Sequence, residues 1–151
     1  MRMRNMCAVA GLVAMSACQP ADDPPEVEFL QMPGTADLGL PFSAAVRVDD
    51  VIYLSGVIGT DPANPMQPVA GGIQAETRRA LEIIRERLTT FGSSMDRVVK
   101  CTVFLADVDE WAAMNEVYVT FFDTPPARSA LGANGLAIGA RMEIECIAVR
   151  N

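Results

Sequence analysis

The carboxyl-terminal segment constrains the fold most strongly, because its apolar and polar residues alternate from Arg141 to Val149. A period of two is that of a β-strand with one buried face. The other face carries Glu143 and Glu145, which lie either in solvent, the commoner case, or along a polar cleft. The apolar side consists of Met142, Ile144, Cys146 and Ala148, and the second face of Arg141, Glu143, Glu145, Ile147 and Val149.

The rest of the chain supplies the elements that such a strand needs. Residues 44–57 form two β-rich segments around the acidic pair Asp49-Asp50, which predicts a hairpin. Apolar or small residues then recur at helical spacing over 73–91, and Gly92 ends that helix. Residues 98–105 form a strongly apolar β-segment. A short additional strand near 67–70 is an option.

A second helix follows from Asp107, which forms a plausible capping box with Glu110. Its expected apolar stripe consists of Val108, Trp111, Tyr118, Val119 and Phe122, with Asn115 as the one amide among them. We expect Asn115 either to bond a neighbouring loop or to serve a site.

The order of elements, β-β-α-β-α-β, predicts an α+β fold with two helices on one face of a mostly antiparallel sheet. Two helices leave the other face without a helical cover, although apolar residues such as Ile147 and Val149 lie on it. Self-association is the natural way to cover such a face.

Composition excludes several classes of function. The 151 residues include no histidine, which rules out Ser-His-Asp triads, Cys-His pairs and HExxH zinc sites. The formal net charge is −7, whereas a nucleic-acid partner requires a basic surface. We therefore expect no nucleic-acid partner.

The amino-terminal residues have the pattern of an export signal. Residues 1–17 contain two arginines, an apolar run and small residues immediately before Cys18. The ending Met15-Ser16-Ala17-Cys18 resembles a bacterial lipobox, which predicts lipidation of Cys18. Residues 18–37, rich in proline and acids, are interpreted as a tether.

This pattern predicts an exported protein held on a membrane by its amino-terminal lipid. Gln19 after the lipidated cysteine favours the periplasmic side of the outer membrane, if the cell has two membranes. The alternatives are a cytoplasmic protein with a misplaced start codon and a signal cleaved elsewhere. Only Cys101 and Cys146 then remain in the domain. We expect them to be buried free thiols, and a disulfide in an oxidising compartment is the alternative.

Several motifs within residues 38–151 resemble those of the Rid (YjgF) family of enamine/imine deaminases. The first is Pro126-Ala127-Arg128-Ser129, and Glu143 follows fifteen residues after its arginine. The stretches Leu40-Pro41-Phe42-Ser43, Leu54-Ser55-Gly56, Val103-Phe104-Leu105-Ala106-Asp107 and Met114-Asn115-Glu116-Val117-Tyr118 agree in order and spacing. The resemblance implies a chorismate-mutase-like fold, a homotrimer with a barrel-like core, and sites at the subunit clefts.

The resemblance also implies the chemistry, which is hydrolysis of 2-enamine and 2-imine acids to 2-keto acids and ammonia without a metal or an organic cofactor. By this resemblance Arg128 binds the substrate carboxylate and Glu143 positions the water. The remaining pocket residues implied are Phe42, Ser55, Gly56, Asn115 and Ala130. A guanidinium suits the first role because it donates two parallel hydrogen bonds to a carboxylate.

Three positions differ from the best-known members of the family. Ala130 stands where they carry cysteine, Phe42 where tyrosine is common, and Val57 where a polar residue follows Ser-Gly. These differences predict a more apolar pocket with a shifted substrate range. The alternative function is a membrane-anchored protein that binds small carboxylates in the same cleft without catalysis.

Overall fold

The computed structural model describes residues 24–35 and 39–151. The predicted signal, residues 1–17, and Cys18 lie outside the described residues. The strands are β1 Val27–Leu30, β2 Ala45–Val48, β3 Val51–Leu54, β4 Val57–Ile58, β5 Thr60–Asp61, β6 Asn64–Pro68, β7 Val98–Leu105, β8 Ala127–Gly132 and β9 Met142–Val149. The α-helices are α1 Gly72–Thr90 and α2 Trp111–Tyr118.

One sheet dominates the fold, with its strands in the order β1-β2-β3-β9-β7-β8 and with β4 also paired to β9. Every pairing in it is antiparallel except that of β7 with β8. The predicted hairpin is confirmed as β2 and β3, with Asp49 in the left-handed region at φ 50°. The extra strand is β6, which pairs with β5 in a separate two-stranded sheet.

Helices α1 and α2 pack on the same face of the sheet, which confirms the predicted α+β class. Their buried residues form one hydrophobic core with those of β2, β3, β7 and β9. The alternation predicted for the last strand is confirmed, because Met142, Ile144 and Ala148 are all fully buried. Helix α1 ends where predicted, at Gly92, whose φ of 79° favours glycine.

Helix α2 is shorter than its predicted stripe. The Asp107 side chain accepts a hydrogen bond from the Asp109 backbone at 2.9 Å, so the predicted cap is present. Glu110 does not complete a capping box, because its carboxylate pairs with Arg141. Val108 and Val119 are exposed, contrary to the prediction, since they lie in 3-10 turns that flank α2 and change the period from 3.6 to 3.

The predicted tether is too long at its carboxyl end. Residues 27–30 of the predicted 18–37 segment form the edge strand β1, which pairs antiparallel with β2. Leu30 and Met32 pack against the hydrophobic core. The apolar residues Val27, Phe29 and Leu30 form only a short, irregular pattern, and proline and acids around them obscured the strand. No helix among residues 24–35 and 39–151 has the length and apolar character to cross a membrane.

Cys101 and Cys146 form a disulfide, so the expectation of two free thiols is wrong. The two residues are direct partners in the register of β7 and β9, with their Cα atoms 4.1 Å apart. Both are 1% exposed. The bridge therefore links the two central strands inside the core. The sequence could not decide this, because the pairing depends on a register between strands 45 positions apart.

The second face of the sheet has no helix on it within the described chain. Tyr53 on β3 and Leu131 on β8 are 46% and 44% exposed. Phe29 on β1, which pairs with Val46 and lies in the same row as Tyr53, is 73% exposed. An apolar surface of this extent is typical of a contact with another protein surface.

A buried carboxylate holds the start of β9. Glu76 on α1 is 4% exposed, and its Oε2 accepts a hydrogen bond from the Arg141 backbone nitrogen at 2.8 Å. The Arg141 side chain pairs with Glu110. Gly59 lets α1 approach the sheet, because a Cβ there would overlap the Glu76 carbonyl oxygen. Both helices are thus tied to the residue that precedes Met142.

We expect Glu76→Gln to remove the free-energy cost of burying the ionised Glu76 carboxylate, a cost that grows as the pH rises. Desolvation by burial raises the pKa of Glu76 above its ordinary 4.5, although backbone hydrogen bonds and Arg141 oppose the rise. The folded chain therefore binds this proton more tightly than the unfolded chain, and stability falls as pH rises from about 4.5 through the folded pKa. The free energy of unfolding of Glu76→Gln, minus that of the wild type, should increase from about pH 4 to about pH 7.

Urea unfolding of both proteins across this pH range measures that difference. Glu86→Gln, at an exposed position of the same helix, is the control for replacing a carboxylate by an amide without burial. A flat or decreasing difference for Glu76→Gln would contradict the assignment.

Candidate active site

The predicted site residues fall into two groups in the folded chain. Arg128, Asn115 and Ala130 lie between the edge strand β8 and α2. The other four, Phe42, Ser55, Gly56 and Glu143, lie around β3, β4 and the start of β9. Each group has its own geometry.

Arg128 lies on the helix-covered face of the sheet. It is the register partner of the buried Cys101 in the parallel pairing of β7 and β8, so the two side chains share a face. Its Nη1 donates a hydrogen bond to Asn115 Oδ1 at 2.7 Å. The Asn115 amide on the apolar face of α2 is therefore explained by its contact with Arg128.

Aromatic rings complete the surroundings of the Arg128 guanidinium. Its Cζ lies 4.6 Å from the centroid of the Tyr118 ring and 6.0 Å from that of Trp111. Within residues 24–35 and 39–151, no carboxylate oxygen lies within 4.0 Å of its nitrogens. Neutral groups thus hold this cation and leave most of its N–H donors for an anionic ligand.

Ala130 follows Arg128 by two residues on β8 and faces the same way. It is partly buried and packs against the hydrophobic core. The sequence predicted Arg128, Asn115 and Ala130 but not the rings. The signal that could have found them is the spacing of Trp111, Asn115 and Tyr118 at i, i+4 and i+7, which places all three on one face of a helix.

Glu143 lies on the opposite face of the sheet, since it alternates with the buried Met142 and Ile144. Its carboxylate packs against Gly56, where a Cβ would overlap Oε1. Gly56 is therefore required by space rather than by backbone conformation. Ser55, the preceding residue, donates from Oγ to the Ser43 carbonyl oxygen at 2.6 Å, which fixes this turn to the loop that precedes β2.

A groove of about 500 Å³ adjoins Ser55. Phe42 forms one wall and is 52% exposed. Gln31 holds the loop in place, because its Oε1 accepts from the Ala44 backbone at 3.3 Å and its Nε2 donates to the Phe42 carbonyl oxygen at 3.4 Å. The lining consists of Phe29, Gln31, Leu40, Pro41, Phe42, Ser43, Val46 and Ser55.

Gln31 was missed from the sequence, because it lies in the segment interpreted as tether. Gln31 is a single amide after a short apolar run, and such a pattern gives little indication of a structural role. Phe42 and Ser55 both line the groove, and their role in a site stays a prediction.

Arg128 and Glu143 do not meet within one chain. In the register of β7, Arg128 lies opposite Cys101 and Glu143 opposite Phe104, with β7 between them. Two strand spacings and three residues of rise separate their Cα atoms by about 14 Å. Their side chains also leave opposite faces of the sheet. A single chain therefore presents one half around the Arg128 cation and one half around the Glu143 carboxylate, and the two halves face different ways.

The two halves suit recognition and acid–base chemistry. A guanidinium without an acidic partner among the described residues can bind a carboxylate, and a glutamate packed against Gly56 can hold or deprotonate a water molecule. In the part of the chain that the structure describes, no three His, Cys, Asp or Glu side chains are grouped so as to hold a metal ion.

Comparisons with known proteins identify the family of this domain. Residues 36–150 match the family described as Endoribonuclease L-PSP. The 2-iminobutanoate/2-iminopropanoate deaminase of Mus musculus is 44% identical over 111 residues, 73% of this chain and 82% of that protein. The deaminase of the same name from Homo sapiens is 42% identical and covers 73% of this chain and 80% of its own length.

Solved structures agree with this match. RidA from an Antarctic Psychrobacter superposes with a TM-score of 0.72 and 32% identity, covering 81% of this chain and 98% of its own. Yeast YEO7 superposes with a TM-score of 0.70 and 35% identity, covering 85% and 98%. The chain therefore belongs to the endoribonuclease L-PSP family, the Rid (YjgF) family whose motifs its sequence carries.

Proposed function

We propose that this protein hydrolyses reactive 2-imine acids, and the 2-enamine acids that tautomerise to them, to 2-keto acids and ammonia. The observation that carries the proposal is Arg128, a cation held by Asn115 and aromatic rings with no acidic partner among the described residues. Relatives more than 40% identical are named for deamination of 2-iminobutanoate and 2-iminopropanoate.

Arg128 binds the substrate carboxylate. Nη1 is fixed by Asn115, so the remaining N–H groups present a planar edge of fixed orientation. Two parallel hydrogen bonds to the carboxylate then orient the imine carbon, which is bonded directly to it. The imine is already electrophilic, so orientation and one base are sufficient for catalysis.

Glu143 acts on the water. Its carboxylate takes one proton from the water as the water oxygen bonds to the imine carbon, and passes that proton to the imine nitrogen as the C=N π bond opens. Glu143 then takes the remaining hydroxyl proton and delivers it to the amino group. The C–N bond breaks with its electron pair on nitrogen, the C=O bond of the 2-keto group forms, and ammonia leaves. The sum is one imine and one water to one keto acid and one ammonia, with no metal or organic cofactor in any step.

The complete site requires two copies of the chain. The halves around Arg128 and Glu143 face different ways in one chain, so each pairs with the complementary half of a neighbour. A homotrimer closed around the uncovered sheet face supplies three such pairs and buries the exposed Tyr53 and Leu131. The barrel-like core of the trimer is then built from three copies of this face.

The groove at Phe42 accepts the side chain of the substrate. Its lining mixes polar side chains with apolar ones such as Phe29 and Leu40, and Phe42 supplies a ring without a hydroxyl. Together with Ala130 beside Arg128, which adds no polar group, it favours imino acids with apolar side chains over small or polar ones. Val57 is buried in the hydrophobic core and does not line the groove.

We also propose that the protein is exported and anchored by a lipid on Cys18, on the periplasmic side of the outer membrane in a cell with two membranes. The lipobox-like ending at Cys18 supports this, and so does the Cys101–Cys146 disulfide, since disulfides persist in oxidising compartments. A reaction outside the cytoplasm that oxidises amino acids to imino acids would then supply the substrate. Nucleic acid is not a proposed partner, given the net charge of −7.

Mixing two inactive variants tests the shared site. Arg128→Ala should lower kcat/KM by about 10- to 100-fold through the lost charged hydrogen bonds. Glu143→Gln should lower kcat by about 100-fold or more. Co-expressed at equal levels, the two chains should recover about a quarter of wild-type activity, because one interface in four joins an intact Arg128 to an intact Glu143.

The assay generates an imino acid with an amino-acid oxidase and measures how far the protein suppresses its trapping by semicarbazide. Separately purified variants, mixed without subunit exchange, are the control and should stay inactive. Co-expressed chains that remain inactive would place the whole site in one chain. Wild-type trimers that bind 2-keto acids yet leave trapping of every imino acid unchanged would favour the carboxylate-binding alternative.

Gly56→Ala tests the position of Glu143. The added methyl group meets the flexible end of the Glu143 side chain, so the fold should survive while the carboxylate moves. We expect a melting temperature close to that of the wild type and a kcat lowered about tenfold or more, because a misplacement near 1 Å costs up to about 100-fold. Gly132→Ala, whose Cβ has only an ordinary 3.9 Å contact with Val108, is the matched control. Equal kcat for both variants would contradict the role of Glu143.

Processing at Cys18 is tested on the full chain expressed in a bacterium. We expect mass spectrometry to find an acylated amino-terminal cysteine and globomycin to block its processing. Cys18→Ala should abolish both the acylation and the membrane fraction. A mature chain that begins elsewhere, or one that retains Met1, would reject the anchor without bearing on catalysis.

A further inference from the structure

Tyr118 is the nearer of the two aromatic rings beside the Arg128 guanidinium. The ring centroid lies 4.6 Å from Cζ, closer than that of Trp111, and Asn115 supplies the hydrogen bond on the edge of the group. A cation over an aromatic face is attracted by the quadrupole of the ring, more strongly where water is excluded. Tyr118 is 4% exposed, so water is largely absent from this contact.

The phenol hydroxyl of Tyr118 makes no hydrogen bond to Arg128 or to any other described residue. Its oxygen is buried and has no hydrogen-bond partner among residues 24–35 and 39–151. Burial raises the pKa of this tyrosine, and the charge of Arg128 only partly opposes the rise. The group is therefore a neutral phenol at physiological pH, and it is the ring that contacts Arg128.

Without this ring, one hydrogen bond would leave the guanidinium free to rotate. Asn115 fixes Nη1 but not the plane of the group, whereas the Tyr118 ring, with its centroid 4.6 Å from Cζ, limits how far that plane can turn. Two parallel hydrogen bonds to a carboxylate require that both the position of Nη1 and the plane of the guanidinium are fixed. A neutral ring also restricts Arg128 without neutralising it, which an acidic residue at the same place would do.

We propose that Tyr118 is a positioning residue, whose ring sets the affinity for the substrate carboxylate by holding the guanidinium plane of Arg128 while its hydroxyl is dispensable. This inference rests on the proposed function and adds a residue to it. It assigns Tyr118 to binding rather than to chemistry, so loss of the ring should change KM and leave kcat nearly constant.

The experiment compares three substitutions at this position in the full chain. Tyr118→Phe keeps the ring and should keep KM within about twofold of wild type, as a rescue by the conservative variant. Tyr118→Leu and Tyr118→Met remove the ring, and each should raise KM about five- to tenfold with kcat within about twofold. Met is similar in volume to Leu but longer and more flexible, so it can adapt to the space left by the ring, and it serves if the Leu variant does not fold.

Phe91→Leu is the matched control for lost packing. Phe91 is a core aromatic that is 7% exposed, and it follows α1 without a recorded contact with Arg128. It should lower the melting temperature much as Tyr118→Leu does and leave KM unchanged. Melting curves of all the variants separate a loss of stability from a loss of affinity.

A second readout separates this inference from the proposed function. The affinity for 2-oxobutanoate, a 2-keto acid of the product class, is measured by calorimetry on the same proteins. If the wild type binds this acid but hydrolyses no imine, the proposed function fails and the order of affinities still tests Tyr118. A ring-lacking variant that matches the wild type in both KM and affinity overturns the inference, and so does a Tyr118→Phe variant as weak as Tyr118→Leu.

Discussion

The pairing of β7 with both of its neighbours determines where the chemistry lies. Strand β7 runs parallel to β8 and antiparallel to β9, so its register fixes Arg128 against Cys101 and Glu143 against Phe104. A shift of one residue in either pairing would move the affected side chain to the other face of the sheet. The Cys101–Cys146 bridge lies in this register, and Glu76 and Glu110 hold the residue at which β9 begins. Core, disulfide and buried carboxylate thus all act on the same three strands.

Much of this arrangement could be predicted from local patterns in the sequence. The hairpin at Asp49-Asp50, the helix that ends at Gly92 and the buried side of β9 depend on periodicity and on turn residues, which neighbouring positions carry. The family motifs then gave Arg128, Glu143 and the residues near them as candidate site residues. Those motifs did not predict how the side chains are oriented.

The features that sequence analysis missed depend on contacts between distant positions. β1 is too short to be recognised without β2 beside it, and Gln31 acquires its role only from the loop that it holds. In the sequence, Cys101 and Cys146 look like ordinary buried residues. Only the register between β7 and β9 shows that they are partners. Tyr118 is similar, since a tyrosine on an apolar helix face is usually core, and only the approach of Arg128 from β8 gives its ring a charged neighbour.

The separation of the two halves on opposite faces of one sheet bears on how this protein could change its substrate. In the proposed site, carboxylate affinity depends on β8 and α2, whereas the groove at Phe42 is built by β1, the loop before β2, and β2 and β3. Few contacts join these two regions directly, so substitutions in one should combine additively with substitutions in the other. Selectivity for the side chain could therefore drift through residues such as Phe29, Leu40 and Phe42 while recognition of the acid stayed constant, which gives the fold a simple route to diverging substrates.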